Sequence, residues 1–94
     1  MTPEEVRDGI RTAAQDIMRE RGAEITGGMP PSKDKFINLK SRTHVAEPTT
    51  RDECRKIAEE TLRPDLSLGK VYIYAMRFWA HPKGFEYIIT LIYH

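Results

Sequence analysis

Residues 70–94 read KVYIYAMRFWAHPKGFEYIITLIYH, two runs rich in β-branched and aromatic residues on either side of HPKG. No other part of the chain restricts the fold as much. Runs of this composition around a short Pro/Gly segment predict a β-hairpin. With HPKG as the loop, Ala80 pairs with Phe85, Phe78 with Tyr87, Met76 with Ile89 and Tyr74 with Leu91. Strand alternation then puts Tyr72, Tyr74, Met76, Phe78, Phe85, Tyr87, Ile89, Leu91 and Tyr93 on one face. The other face holds Val71, Ile73, Ala75, Arg77 and Trp79 opposite Glu86, Ile88, Thr90, Ile92 and His94. Both faces carry apolar side chains, so each needs cover. A slip of one residue would exchange the two sets, so the assignment depends on the turn.

Two helices are available as cover. In TPEEV, Thr2 is placed to cap, Pro3 suits the first helical position, Glu5 completes a capping box, and Met1 and Val6 can form a hydrophobic staple. Val6, Ile10, Ala13, Ala14, Ile17 and Met18 then follow at helical spacing, with Gly22 placed to end the helix. The stretch TTRDECRKIAEETLRP repeats the signature: Thr50 caps, Glu53 closes a second box, and Cys54, Ile57, Ala58 and Leu62 form the apolar stripe. Pro64 disfavours helical geometry at the residue before it, which ends the helix. Both stripes are aliphatic and alanine-rich. They are expected to cover the face of Val71, Ile73, Ala75, Ile88 and Ile92 and to leave the aromatic face for a partner, with Arg77 and Glu86 reaching the rim as a diagonal pair.

Between the helices, AEITGGMPPS reads as a loop and KFINLKSRTHV as a strand that breaks near Ser41. Ile37, Leu39, Thr43 and Val45 are expected on one side of that strand. The expected architecture is a single α+β domain over residues 1–94. Two helices pack on one face of a small, about three-stranded, mostly antiparallel sheet in the order α-β-α-β-β.

Composition excludes little beyond this. The chain is 39% hydrophobic and 31% charged with a formal net charge of +1, so global charge does not select nucleic acid as a partner. TPEEVRDG has neither the basic nor the apolar character of a secretory leader. No apolar run approaches the ~20 residues of a membrane span. The lone Cys54 permits no internal disulfide and suits a reducing, cytoplasmic compartment.

Four motifs bear on chemistry. KGFEYIIT, residues 83–90, resembles the octapeptide of RNA-recognition motifs at Lys83, Gly84, Phe85, Tyr87 and Ile88, while Glu86 and Thr90 depart from it. The resemblance implies aromatic strand residues on which bases stack. Residues 33–56 carry seven basic against four acidic side chains, and Lys35, Lys40, Arg42 and His44 are expected to share one side of the strand as a basic stripe facing an anion. Cys54, near a helix start and ten residues after His44, is the one candidate nucleophile, but its place on the apolar stripe favours a structural role. His44, Cys54, His81 and His94 lack paired ligand spacing, so neither metal nor cofactor is expected.

These features predict a non-enzymatic binding or adaptor protein. It would act through protein–protein contact and self-associate, as a homodimer or other homo-oligomer, through Tyr72, Tyr74, Met76, Phe78, Phe85 and Tyr87. A compact chain of this kind would also suit an inhibitor of a larger machine, such as phages and plasmids encode. The alternative is a nucleic-acid or anionic-ligand binder that uses Lys35, Lys40 and Arg42 with the sheet tyrosines.

Overall fold

Two helices and a four-stranded mixed sheet make this an α+β protein, with one strand more than the sequence pattern predicts. The computed structural model describes residues 1–28, 35–41, 45–63 and 69–93. Along the chain come α1 (Pro3–Glu20), β1 (Glu24–Ile25), β2 (Lys35–Lys40), α2 (Arg51–Leu62), β3 (Lys70–His81) and β4 (Gly84–Tyr93). The sheet order is β1-β3-β4-β2. The β3–β4 and β2–β4 pairs are antiparallel, and β1 is parallel to β3.

Local chemistry sets the helix ends. The Thr2 hydroxyl accepts the Glu5 N–H at 3.2 Å and the Glu5 carboxylate accepts the Thr2 N–H at 3.0 Å, a complete capping box that draws the Glu5 carboxyl below its ordinary range. At the other end Gly22 takes φ +86°, and the N–H groups of Gly22 and Ala23 donate back to the carbonyls of Arg19 and Met18. This is the left-handed closure that glycine permits. Thr50 caps α2 as predicted, but Glu53 does not close the box on it. The Glu53 carboxylate accepts instead from the N–H and hydroxyl of Thr49, one residue earlier. The two helices meet at Gly9, where a Cβ would lie 2.9 Å from the Cys54 Sγ. Glycine is what allows so close an approach. Arg55 links the outer side of the pair, donating to Glu20 at 2.8 Å and to Glu59 at 3.1 Å.

Both helices pack on one face of the sheet, which takes Val71 and Ile73 from the face predicted to be covered but Met76, Tyr87, Ile89 and Leu91 from the aromatic one. The core joins Val6, Ile10, Ala14, Ile17 and Met18 of α1 with Cys54, Ile57, Ala58 and Leu62 of α2. Beneath them lie Leu39, Val71, Ile73, Met76, Tyr87, Ile89 and Leu91, with Phe78, Phe85 and Tyr93 packed against the cluster. Ile88 and Ile92 belong to the opposite face. The physical reason is charge. Lys40, Arg77 and Glu86 lie on the side of Ile88 and Ile92, and an apolar helix stripe laid across them would strand those charges.

A second correction concerns register. The turn pairs His81 with Gly84, which takes φ 145°, and the ladder runs as predicted through Ala80–Phe85, Phe78–Tyr87 and Met76–Ile89. It then slips: Ala75 pairs with Thr90 and Ile73, not Tyr74, pairs with Leu91. Tyr74 is the extra residue of a β-bulge, and one extra residue reverses which side chains face the helices. Val71 and Ile73 therefore share the covered face with Met76 and Phe78, a set that strict alternation divides.

Candidate binding face

The helix-free side of the sheet is built from three rows across β2, β4 and β3: Phe36–Ile92–Tyr72, Asn38–Thr90–Ala75 and Lys40–Ile88–Arg77, with Glu86 and Trp79 paired beyond them. Phe36, Tyr74 and Trp79 remain 52%, 49% and 53% exposed. β2 and β3 flank β4 and so lie ~10 Å apart. Yet the Phe36 and Tyr74 rings meet edge to face with centroids 5.6 Å apart, which requires both to lean over the central strand. Ile92, Thr90 and Ile88 are buried there although they are not part of the core beneath the helices.

Beside this aromatic pair lies a depression of ≈ 300 Å³ lined by Phe36, Asn38, Tyr74, Ala75, Arg77 and Thr90. Ala75 keeps it open by being small. The Thr90 hydroxyl donates to the Asn38 Oδ1 at 2.6 Å, which leaves the amide N–H groups and one lone pair of the oxygen for a ligand. Among the described residues no carboxylate lies within 4.0 Å of the Arg77 or Lys40 cations. The face thus offers aromatic edges, a carboxamide and two uncommitted cations, with Glu86 as its acid.

The predicted site residues scatter. Tyr72 and Tyr74 lie on this face. Met76 and Tyr87 are buried under the helices, and Phe78 and Phe85 are half-buried against the same core. Burial pushes the Tyr87 phenol up to about 12. The octapeptide resemblance therefore fails in space, because its two aromatics point into the core instead of offering rings to bases. Lys35 does not join a basic stripe with Lys40: it pairs with Tyr93, on the core-facing parity, and its ammonium sits 6.0 Å from that ring. Arg42 and His44 lie outside the described residues. The Cys54 thiol is buried beside the Val6 carbonyl and its pKa is raised by burial, the opposite of an activated nucleophile. Among the described residues no cluster of His, Cys, Asp and Glu could hold a metal ion, and no helix is long and apolar enough to cross a membrane.

Phe36, Asn38, Arg77 and Trp79 were not singled out as binding residues by the sequence pattern. A signal for them existed. Arg77 and Glu86 sit mid-strand on one parity, and a charged side chain there is incompatible with an apolar helix laid across it. No protein-family model matches the sequence, and no curated protein or solved structure matches the chain.

Proposed function

We propose that the protein is a non-enzymatic binding module that recognises another polypeptide through the helix-free face of its sheet, with a second copy of itself as the first partner. The observation that carries this reading is the half-exposed trio Phe36, Tyr74 and Trp79 around Arg77. Aromatic side chains and arginine dominate the energetics of protein interfaces. The face is also self-complementary in charge, since a two-fold axis can set Glu86 of one copy against Arg77 or Lys40 of the other. Native mass spectrometry at increasing salt tests it. The expected result is a dimer that survives salt, and that Tyr74→Asp dissociates while leaving the helical circular dichroism intact. A monomer at every concentration overturns it.

Lys40 and Arg77, which have no carboxylate partner among the described residues, favour a second reading, an anionic or nucleic-acid ligand stacked on the same rings. Trp79 is the only tryptophan in the chain and reports directly on this face. Quenching of its emission by an oligothymidylate, lost steeply as salt rises, would replace the protein partner with nucleic acid.

A further inference from the structure

A different surface, the outer edge of β3, is built to accept a strand. β1 covers that edge only at Lys70 and Val71, and among the described residues no other strand pairs with it. Neighbouring hydrogen bonds fix where its backbone groups point. The Ser41 N–H donates to the Tyr87 carbonyl, and Val45 and Phe85 exchange both of their N–H···O bonds, so Phe85 and Tyr87 direct their main chain away from β3. Alternation turns Glu86, Ile88 and Thr90 toward β3, where their partners are Trp79, Arg77 and Ala75. Met76, Phe78 and Ala80 must then point their N–H and C=O groups outward, past the bulge, as Val71 does where its carbonyl accepts the Thr26 N–H at 2.9 Å.

Helix α1 runs beside this edge. Arg7, Arg11, Gln15 and Arg19 recur at four-residue spacing and form one row on its surface. The Arg7 guanidinium lies 5.8 Å from the Phe78 ring, at one end of the edge. A concave site of ≈ 210 Å³ holds Arg7, Arg11 and Met76, and one of ≈ 370 Å³ holds Arg11, Gln15 and Arg19 with Tyr72 and Tyr74 at the other end. Helix and strand keep pace along this length. The rise from Arg7 to Arg19 is ~18 Å at 1.5 Å per residue, and that from Phe78 back to Tyr72 is ~20 Å at 3.3 Å per residue.

We propose that this groove takes an extended segment of a partner polypeptide, which adds to β3 as a strand and sets acidic side chains at alternate positions against the arginine row. Main-chain hydrogen bonds to Met76, Phe78 and Ala80 supply affinity, and the helix beside them reads every second side chain. Charge complementarity selects the occupant. Arg7 and Arg11 have no carboxylate within 4.0 Å among the described residues, and Arg19 shares only the exposed Asp16 at 3.6 Å. Glu4 and Asp8 line the Phe78 end, so the preference for acid is strongest near Tyr74. A second copy pairing β3 with β3 would bring two arginine rows together, which opposes that arrangement.

Amide hydrogen exchange on the full-length protein, free and with a synthetic peptide of alternating valine and glutamate, tests the proposal. The amides of Met76, Phe78 and Ala80 should exchange fast in the free protein and become protected with the peptide. A valine–lysine peptide, or the glutamate peptide methylated on alternate main-chain nitrogens, should bind roughly tenfold more weakly or worse. Arg11→Glu should weaken the glutamate peptide and strengthen the lysine one. Any of four results overturns the proposal: no binding of the glutamate peptide, equal affinity for both charges, protection of these amides in the dilute free protein, or protection that grows with protein concentration alone.

Discussion

On the helix-covered face of the sheet Tyr87 and Leu91 are sealed at 1% and 0% exposure, whereas on the other face of the same three strands Phe36, Tyr74 and Trp79 keep about half their surface in water. The two faces draw on the same residue types. They differ in what lies opposite. The covered side meets the apolar stripes of both helices, among them Ile10, Ile17 and Met18 of α1 with Ile57, Ala58 and Leu62 of α2. The open side carries Arg77, Lys40 and Glu86, which no apolar stripe could cover without stranding a charge. Aromatic content therefore says little about whether a sheet face is core or contact surface. The neighbours' charge decides.

The contrast predicts a graded series of effects. Leu91→Ala should remove about 2–5 kcal/mol of stability in a denaturant titration, because it opens a cavity beneath both helices. Next comes Gly9→Val, which should cost about 1–3 kcal/mol through collision with the Cys54 Sγ, and Cys54→Ala in the same chain should recover part of that loss. If Gly9→Val is neutral, the helices do not approach closely at this point.

Alkali should produce a smaller loss. Burial, followed by the charges of Glu47 and Cys54, holds the Tyr87 phenol proton to about 12 against an ordinary 10.0. The folded chain thus binds this proton more tightly than the unfolded chain, so its contribution is complete below pH 10.0 and falls away as the pH rises through about 12. Tyr87→Phe should flatten that part of the pH profile. Thr50→Ala should cost about 1 kcal/mol through loss of the α2 cap. The smallest change is expected on the open face: Trp79→Ala should alter stability by no more than about 0.5 kcal/mol, and its effect should appear in partner binding instead. A large loss of stability at Trp79 would mean that this face is core as well.

Much of the secondary structure was legible in the residues. Thr2 with Glu5, Pro3, Gly22 and Thr50 act within one helical turn of themselves, and the structure reproduces α1, α2 and the hairpin, its loop shortened from HPKG to Pro82–Lys83. Two features were not legible. The two-residue β1 has no period to detect, since Glu24 and Ile25 form a strand only because Lys70 and Val71 lie alongside. The bulge at Tyr74 has no marker in YIYAM, where neither glycine nor proline interrupts the run. The missing basic stripe, by contrast, was legible: Lys35 and Lys40 stand an odd number of residues apart, so a period of two already puts them on opposite sides of β2.

The sequence by itself determined the helices, their Thr2 and Thr50 caps, a hairpin about HPKG and an α+β class, because each rests on interactions a few residues long. Tertiary structure decided which sheet face became core. That choice turns on one extra residue in β3, and on how the apolar stripes of two helices fit over Tyr87 and Leu91 instead of over Ile88 and Ile92. Both are properties of packing between segments distant along the chain. A period of two, read along one strand, records neither.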